Sequence, residues 1–372
     1  MKNANNLDIT LNAVERTNAL AMELLQKERV AIFIVAYNAS QHIENVFKRI
    51  PQFVLENLAQ IYLIDDSSKD DTVDVSSQII WPSQNAPLKI FKTPVNQGYG
   101  GNQKIGYSYA IAENFDIVVL LHGDGQYAPE ALPLLLAAYS DGADAVFGSR
   151  FINAFGAIRG GMPLYKFVGN RVLTSLQNYF MKSSLSEWHS GYRSYRTRIL
   201  KKIPFTCNSS DFDFDSEIII QVLGSGGKII EVPIPTFYGN EICHVNGLQY
   251  AAQCMKNVLQ YRAMQFELFY DPRFDLQHDL IESSEKGEVA KDKESTKTSL
   301  PYFIQDIEFG SNVQLLCLGK RAASLKSSIS SSCAKVICVD QEIDRDLKLS
   351  VEMQHTADAV LSLDCLLYTS DA

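Results

Sequence analysis

The sequence predicts an α/β fold, a mostly parallel sheet with helices on both faces, followed by a partial second α/β unit. Three observations predict it. Between Val30 and Gly148 short apolar runs (VAIFIVA, IYLID, KIFK, IVVLLHG, AVFGS) alternate with helix-length stretches, the rhythm of strand–helix units. Four of those runs end in acidic, amide or arginine residues, where open parallel sheets bind ligands. After a charged, serine-rich stretch, two more strand-like runs appear, NVQLLCLGK and AKVICVD.

Taken in order, VAIFIVA reads as a fully buried strand, with Ser40 expected to cap the next helix and Pro51 to stop it. IYLID is the second strand and KIFK the third. A helix from about Gly101 to Glu113 leads to IVVLLHG, the fourth, and AVFGS is the fifth. From Pro163 to Tyr270 the pattern is more helical. It contains the GGKIIEVPIP strand but no second cluster of strands, so it reads as the second half of one domain. IESSEKGEVAKDKESTKTS is poor in apolar residues and marks a linker. The expected division is an N-terminal extension over 1–27, a first α/β domain over 28–270, a linker over 271–300 and a truncated unit over 301–372.

Composition excludes several classes. With 372 residues, 46% of them hydrophobic, the chain can bury a large core. Its 34 basic against 43 acidic residues give a net charge of -9. That balance argues against a nucleic-acid partner while leaving room for local basic pockets. Seven scattered cysteines, none in a CxxC pair, are expected to be reduced thiols. MKNANNLDITLNAVERTN has no apolar core behind a basic start and is not a signal peptide. The apolar runs are strand-sized, short of the roughly 20 residues that cross a bilayer. A cytoplasmic protein without a transmembrane segment is expected, attached at most to the inner face of a membrane.

The strand ends supply the candidate site. They are Tyr37-Asn38, Asp65-Asp66-Ser67-Ser68, His122-Gly123-Asp124-Gly125-Gln126 and Gly148-Ser149-Arg150. One acidic strand end is usually a helix cap; four convergent ones make a site. The loop NQGYGGNQKIG is glycine-rich and opens a helix. A dinucleotide fingerprint would need glycine where Gln103 stands and would follow the first strand rather than the third, so a dehydrogenase is excluded. Gly98 and its neighbours allow a tight turn beside a ligand and Lys104 offers a cation to a phosphate. Helix–strand packing is the alternative reading for each glycine.

FIVAYN, LIDDSSKDDT, PVNQGYGGNQKIG, HGDGQYAPE, FGSR, EWHSGYR, FDFDSEI and EVPIPTFYGNE, in this order, resemble the inverting family-two glycosyltransferases of the GT-A fold. The resemblance is to the branch of polyprenyl- and dolichyl-phosphate sugar synthases. It implies a nucleoside-diphosphate sugar donor, with Asp65 or Asp66 accepting from its base or ribose and Tyr37 and Asn38 beside it. His122-Gly123-Asp124 stands at the family's DxD metal motif, where Mg2+ or Mn2+ neutralises the departing diphosphate. Asp124 is then a metal ligand and Gln126 a second. Histidine at 122 departs from the motif and either ligates through imidazole or lines the pocket. Arg150, Arg159 and Arg193 are the implied phosphate holders, Arg159 in the glycine-flanked AIRGGMP loop.

Glu187 takes the place of the aspartate in the family's DxxSG pattern. It is either the base that deprotonates an acceptor hydroxyl or an organiser of the acceptor pocket. Trp188 reads as a core residue. Asp213, Asp215 and Glu217 open a helix whose dipole suits acids; the resemblance also implies that this region faces the acceptor side. The acceptor implied is a polyprenyl phosphate; a glycan or metabolite hydroxyl is the alternative, and a catalytically silent nucleotide-sugar-binding module is a third reading. A sugar nucleotidyltransferase would carry a glycine-rich, basic loop after the first strand, where this chain has AYNASQ. Residues 311–364 resemble the start of a SAM-dependent methyltransferase, with Asp340 at the ribose position. CLGKRAAS holds only Gly319, so methyl transfer by this chain is not expected.

Overall fold

The computed structural model describes residues 2–79, 86–153, 156–235 and 247–276, and three short strands beyond them; of residues 2–11 and Arg159 only the backbone is described. Helix α1 (Lys2–Lys27) leads into β1 (Val30–Ala36). Then come α2 (Ile43–Lys48), α3 (Gln52–Asn57), β2 (Gln60–Asp65), α4 (Thr72–Ser77), β3 (Leu88–Lys92), α5 (Tyr99–Ala112) and β4 (Ile117–His122). The second half holds α6 (Leu132–Ala137), β5 (Ala145–Ser149), α7 (Gly156–Arg159), α8 (Leu164–Met181), β6 (Arg193–Arg196), α9 (Thr197–Leu200), α10 (Phe214–Gly224), β7 (Ile229–Pro233) and α11 (Gly247–Gln265).

Seven strands form one sheet in the order β3-β2-β1-β4-β6-β5-β7. All pairings are parallel except those of β6, which runs antiparallel between β4 and β5. β1, β2, β4 and β5 are buried almost throughout, which is why they read as unbroken apolar runs. Successive side chains point to opposite faces. Ala31 and Phe33 join a core rich in aromatic rings, in which Phe33 stacks on Tyr62 at 5.1 Å. Ile32 and Ile34 join an aliphatic core that also takes Ala21 and Leu25 of α1. Helix α5 lies tightly on the aromatic face: a Cβ on Gly106 would fall 2.1 Å from the Phe33 ring.

The sheet adds one strand to those read from sequence. RSYR of β6 carries two arginines and no aliphatic residue, so its pattern gives no strand signal. It forms because Arg193, Ser194, Tyr195 and Arg196 find open edges on β4 and β5. A second correction concerns Ser40. α2 begins at Ile43 with His42 at its N-cap; the Ser40 N–H instead donates to Asp70 at 3.0 Å, tying the loop after β1 to the loop after β2. Pro51 closes one helix and caps the next, α3.

Beyond residue 276, β8 (Gln314–Leu318), β9 (Lys335–Val339) and β10 (Ala359–Ser362) make a parallel sheet with β8 in the centre. Gly319 and Asp340 lie outside the described residues.

Candidate active site

The strand order reverses at β1: β2 lies on one side of it and β4 on the other. Open sheets bind ligands in the crevice at such a reversal. The register brings the strand ends level there, with Asp65 opposite Ala36 and His122 opposite Val35. The end of β2 thus lies two strand spacings, roughly 10 Å, from the end of β4.

On the β2 side, Asp65 and Asp66 are both buried. Asp65 accepts from the Ser68 N–H at 3.0 Å and from its hydroxyl, which shapes the turn. Asp66 accepts from the Gln97 N–H at 2.7 Å and the Thr93 hydroxyl at 3.0 Å, so it fixes the start of the glycine loop. Burial, against the hydrogen bonds from Gln97 and Thr93, lifts its carboxyl from 3.8 to about 6. Asn38 has φ of 51° and braces the two loops, donating from its N–H to Ser68 at 2.8 Å and accepting from the Lys69 N–H at 2.9 Å. Tyr37 is 49% exposed, at the mouth of the crevice.

The glycine loop packs on protein. Gly98 has φ of +80° and a Cβ there would lie 2.5 Å from the Ser210 carbonyl oxygen; the Gly100 N–H donates to that oxygen at 2.8 Å. Lys104 corrects an expectation. Its ammonium is fully buried and donates to the Asn208 carbonyl at 2.7 Å, joining α5 to the 208–211 loop rather than reaching a phosphate.

On the β4 side, His122 is boxed by aromatic groups. Its Nε2 lies 3.4 Å from the Tyr99 hydroxyl, and its ring meets Tyr127 edge-on at 4.9 Å. Burial holds it below the usual imidazole range, although the Asp124 charge pulls the other way. The Tyr99 hydroxyl donates to Asp215 at 3.0 Å, and Tyr127 accepts from the Gly191 N–H at 2.6 Å. Asp124 accepts from the Gln126 N–H at 2.9 Å through Oδ1, and no bond to its Oδ2 is present among the described residues. Tyr99, Tyr127 and Asp215 thus belong to the site wall. Sequence reading gave Tyr99 and Tyr127 no such role, because their contacts cross between elements far apart in the chain.

Glu187 and Arg150, expected in separate roles, are brought together. The Arg150 N–H and Nε donate to Glu187 at 2.8 and 2.9 Å, and Nη2 closes on the same carboxylate. Asn170 of α8 adds a bond at 3.2 Å, and Arg150 Nη2 also reaches the His189 carbonyl at 3.1 Å. Both side chains are buried, so the Arg150 fork that was expected to hold phosphate is turned onto Glu187. Arg193 is corrected in the same way. It is 1% exposed and donates to the carbonyls of Ser190, Asp215 and Trp188 at 2.7, 2.7 and 2.8 Å. With Nε, Nη1 and Nη2 each donating to a loop carbonyl, this arginine organises the loop around it. Trp188 is a core residue, its indole N–H donating to Asn178 at 2.9 Å. His189 meets the Tyr250 hydroxyl at 2.9 Å, and burial pushes its imidazole down to about 3. The side chain of Arg159 lies outside what is described.

Residues 31–204, which hold nearly all of β1, the strands through β6 and most of the crevice, match the family described as glycosyl transferase family 2. This chain carries a glycosyl transferase family 2 domain. Among its relatives is the polyprenol monophosphomannose synthase of Mycolicibacterium smegmatis, 24% identical over 216 residues, 58% of this chain and 79% of that protein. The undecaprenyl-phosphate mannosyltransferase of Micrococcus luteus is 27% identical over 219 residues, 58% of this chain and 85% of that one. The mannosyl-3-phosphoglycerate synthase of Rubrobacter xylanophilus shares the fold with a TM-score of 0.51 at 15% identity, over 68% of this chain and 80% of that one. The family 2 domain therefore has the GT-A fold, and the protein is a glycosyltransferase.

Proposed function

We propose that the family 2 domain transfers a sugar, with inversion, from a nucleoside diphosphate to a polyprenyl phosphate, assisted by Mg2+ or Mn2+. The observation that carries this reading is the level register of β2, β1 and β4. It holds the ends of β2 and β4, which Asp66 and Asp124 follow, two strand spacings apart across β1, roughly 10 Å, and a nucleoside at one end with its diphosphate at the other suits that span. Asp66 accepts from the base or ribose, and Asp65 shapes the turn beneath it.

The donor set fits a divalent cation. Among the described residues no group of three or more His, Cys, Asp and Glu side chains could hold a metal ion. Magnesium commonly takes one or two carboxylates and completes its shell with substrate phosphates and water. Asp124, with Gln126 and a largely neutral His122 beside it, matches that pattern. A bound cation would neutralise charge on the departing diphosphate. The residues' own work is to seat the donor in a crevice walled by Tyr99, Tyr127 and His122.

The fate of Glu187 favours a phosphate acceptor. An acceptor hydroxyl needs a base to take its proton as it attacks the anomeric carbon. Glu187 is instead engaged by Arg150 and Asn170, which makes it an organiser of the pocket. A polyprenyl phosphate is already anionic and attacks without losing a proton. The named relatives that act on polyprenyl phosphates point the same way.

The test is a panel of nucleoside diphosphates and their sugars, read by thermal shift with and without Mn2+. One nucleotide is expected to stabilise the protein only with metal, and Asp124→Ala to remove the metal-dependent part. Release of nucleoside diphosphate should fall by at least about 10–100-fold in that variant, the range seen when even an outer-shell metal partner is lost. A wild type that releases none with any donor when polyprenyl phosphate is supplied sinks the polyprenyl phosphate reading.

A further inference from the structure

Helix α8 is inside out. A helix on the surface of a water-soluble domain turns its polar residues outward. Here the inward face carries, beside the buried Leu173, the polar Asn170, Thr174, Gln177 and Asn178, which bond Glu187, Ser216 and Trp188. The outward face carries Leu164, Tyr165, Val168, Val172, Leu176 and Tyr179, all exposed. Tyr165 is 74% exposed, Val172 55% and Tyr179 78%. At about 100° per residue these six fall on one stripe along the whole helix. Contiguous exposed apolar surface of this kind marks an interaction site.

Charge selects the occupant. Along α8 and its C-cap the chain has three basic residues, Lys166, Arg171 and Lys182, and no acidic one. A second copy docking through the same face would set these cations against their own copies, like charge on like. No helix among the described residues is long and apolar enough to cross a membrane. An apolar stripe bordered by cations, on a helix that cannot span, fits a helix lying in the plane of an anionic bilayer.

We propose that the outer face of α8 docks on an anionic lipid surface, Tyr165, Val168, Val172 and Tyr179 entering the headgroup boundary and Lys166 and Arg171 on its margins. Through Asn170 the same helix touches the Glu187–Arg150 pair, so docking sets the acceptor end of the crevice against the membrane. That purpose rests on the polyprenyl phosphate reading; the docking itself does not, and it is measured without sugar transfer.

The experiment is co-sedimentation of the full chain with vesicles of phosphatidylcholine, with and without phosphatidylglycerol. Binding is expected to the anionic vesicles, to fall as salt is raised, and to drop at least about tenfold in the double variant Val168→Glu, Val172→Glu, less than two buried side chains supply. Tyr165→Ala with Tyr179→Ala leaves charge unchanged and is the second probe should the glutamate variant melt early; it too should weaken binding. No binding by the wild type, equal binding to neutral vesicles, or undiminished binding by both variants overturns the proposal. So does a wild-type dimer in sedimentation velocity that the glutamate variant turns into a monomer, because a second copy then covers the stripe. Vesicle binding with no transfer to polyprenyl phosphate leaves the docking surface standing and removes only its purpose.

Discussion

Asp66 carries two duties, each set by its burial. Its carboxyl anchors the glycine loop through the Gln97 N–H, and its pKa stands at about 6 against an ordinary 3.8. The folded protein therefore holds this proton more tightly than the unfolded chain. The stability it contributes is fully present below about pH 3.8 and is lost as the pH rises through about 6. Asp66→Asn is thus expected to gain stability relative to wild type as the pH goes from 4 to 7, followed by thermal melts across that range. In the proposed function nucleotide binding needs the ionised form, so affinity should fall about tenfold per pH unit below about 6, and titration calorimetry at pH 5 and 7.5 reads it. A second residue-scale prediction concerns Glu187→Gln. Removing one partner of a buried ion pair costs about 3–5 kcal/mol, which urea unfolding would show. If that variant keeps wild-type stability and loses only turnover, Glu187 is a base and the lock with Arg150 is secondary.

At the scale of elements, the meeting of α5 with β1 is the tightest joint under the site. A methyl on Gly106 would strike the Phe33 ring, and Phe33 is itself stacked on Tyr62. Gly106→Ala should therefore destabilise by about 1–3 kcal/mol, despite the roughly 1 kcal/mol that alanine gains over glycine within a helix. Denaturant midpoints check this, and a neutral or stabilised variant would show that the ring can swing aside. The same helix explains why the glycine loop was ambiguous in sequence. Gly98 and Gly100 meet the backbone at 209–210 rather than open space, a contact made by chain more than a hundred positions away. Strands β1, β2, β4 and β5 were legible because burial on both faces leaves an uninterrupted apolar run. β6 was not, since its Arg193 and Arg196 satisfy themselves on carbonyls and Glu28 that no local pattern reveals.

For the whole molecule, the sequence by itself determined the strands of the main sheet other than β6, the polar strand ends and the motif series that pointed to the family 2 domain. These follow from local burial and periodicity, which each stretch of chain records about itself. It also placed Asp65, Asp66, His122 and Asp124 at neighbouring strand ends, because parallel strands share one direction and their carboxyl ends share one edge. Only the tertiary structure decided how the charges pair. Arginines 150 and 193 and Lys104 looked alike as phosphate ligands. Their donors went instead to Glu187, to loop carbonyls and to Asn208, since a buried cation must be neutralised or hydrogen-bonded by whatever the fold brings within about 3 Å. The inversion of α8 belongs to the same class: which side met the protein was set by the polar groups of Glu187, Trp188 and Ser216 on the inner side.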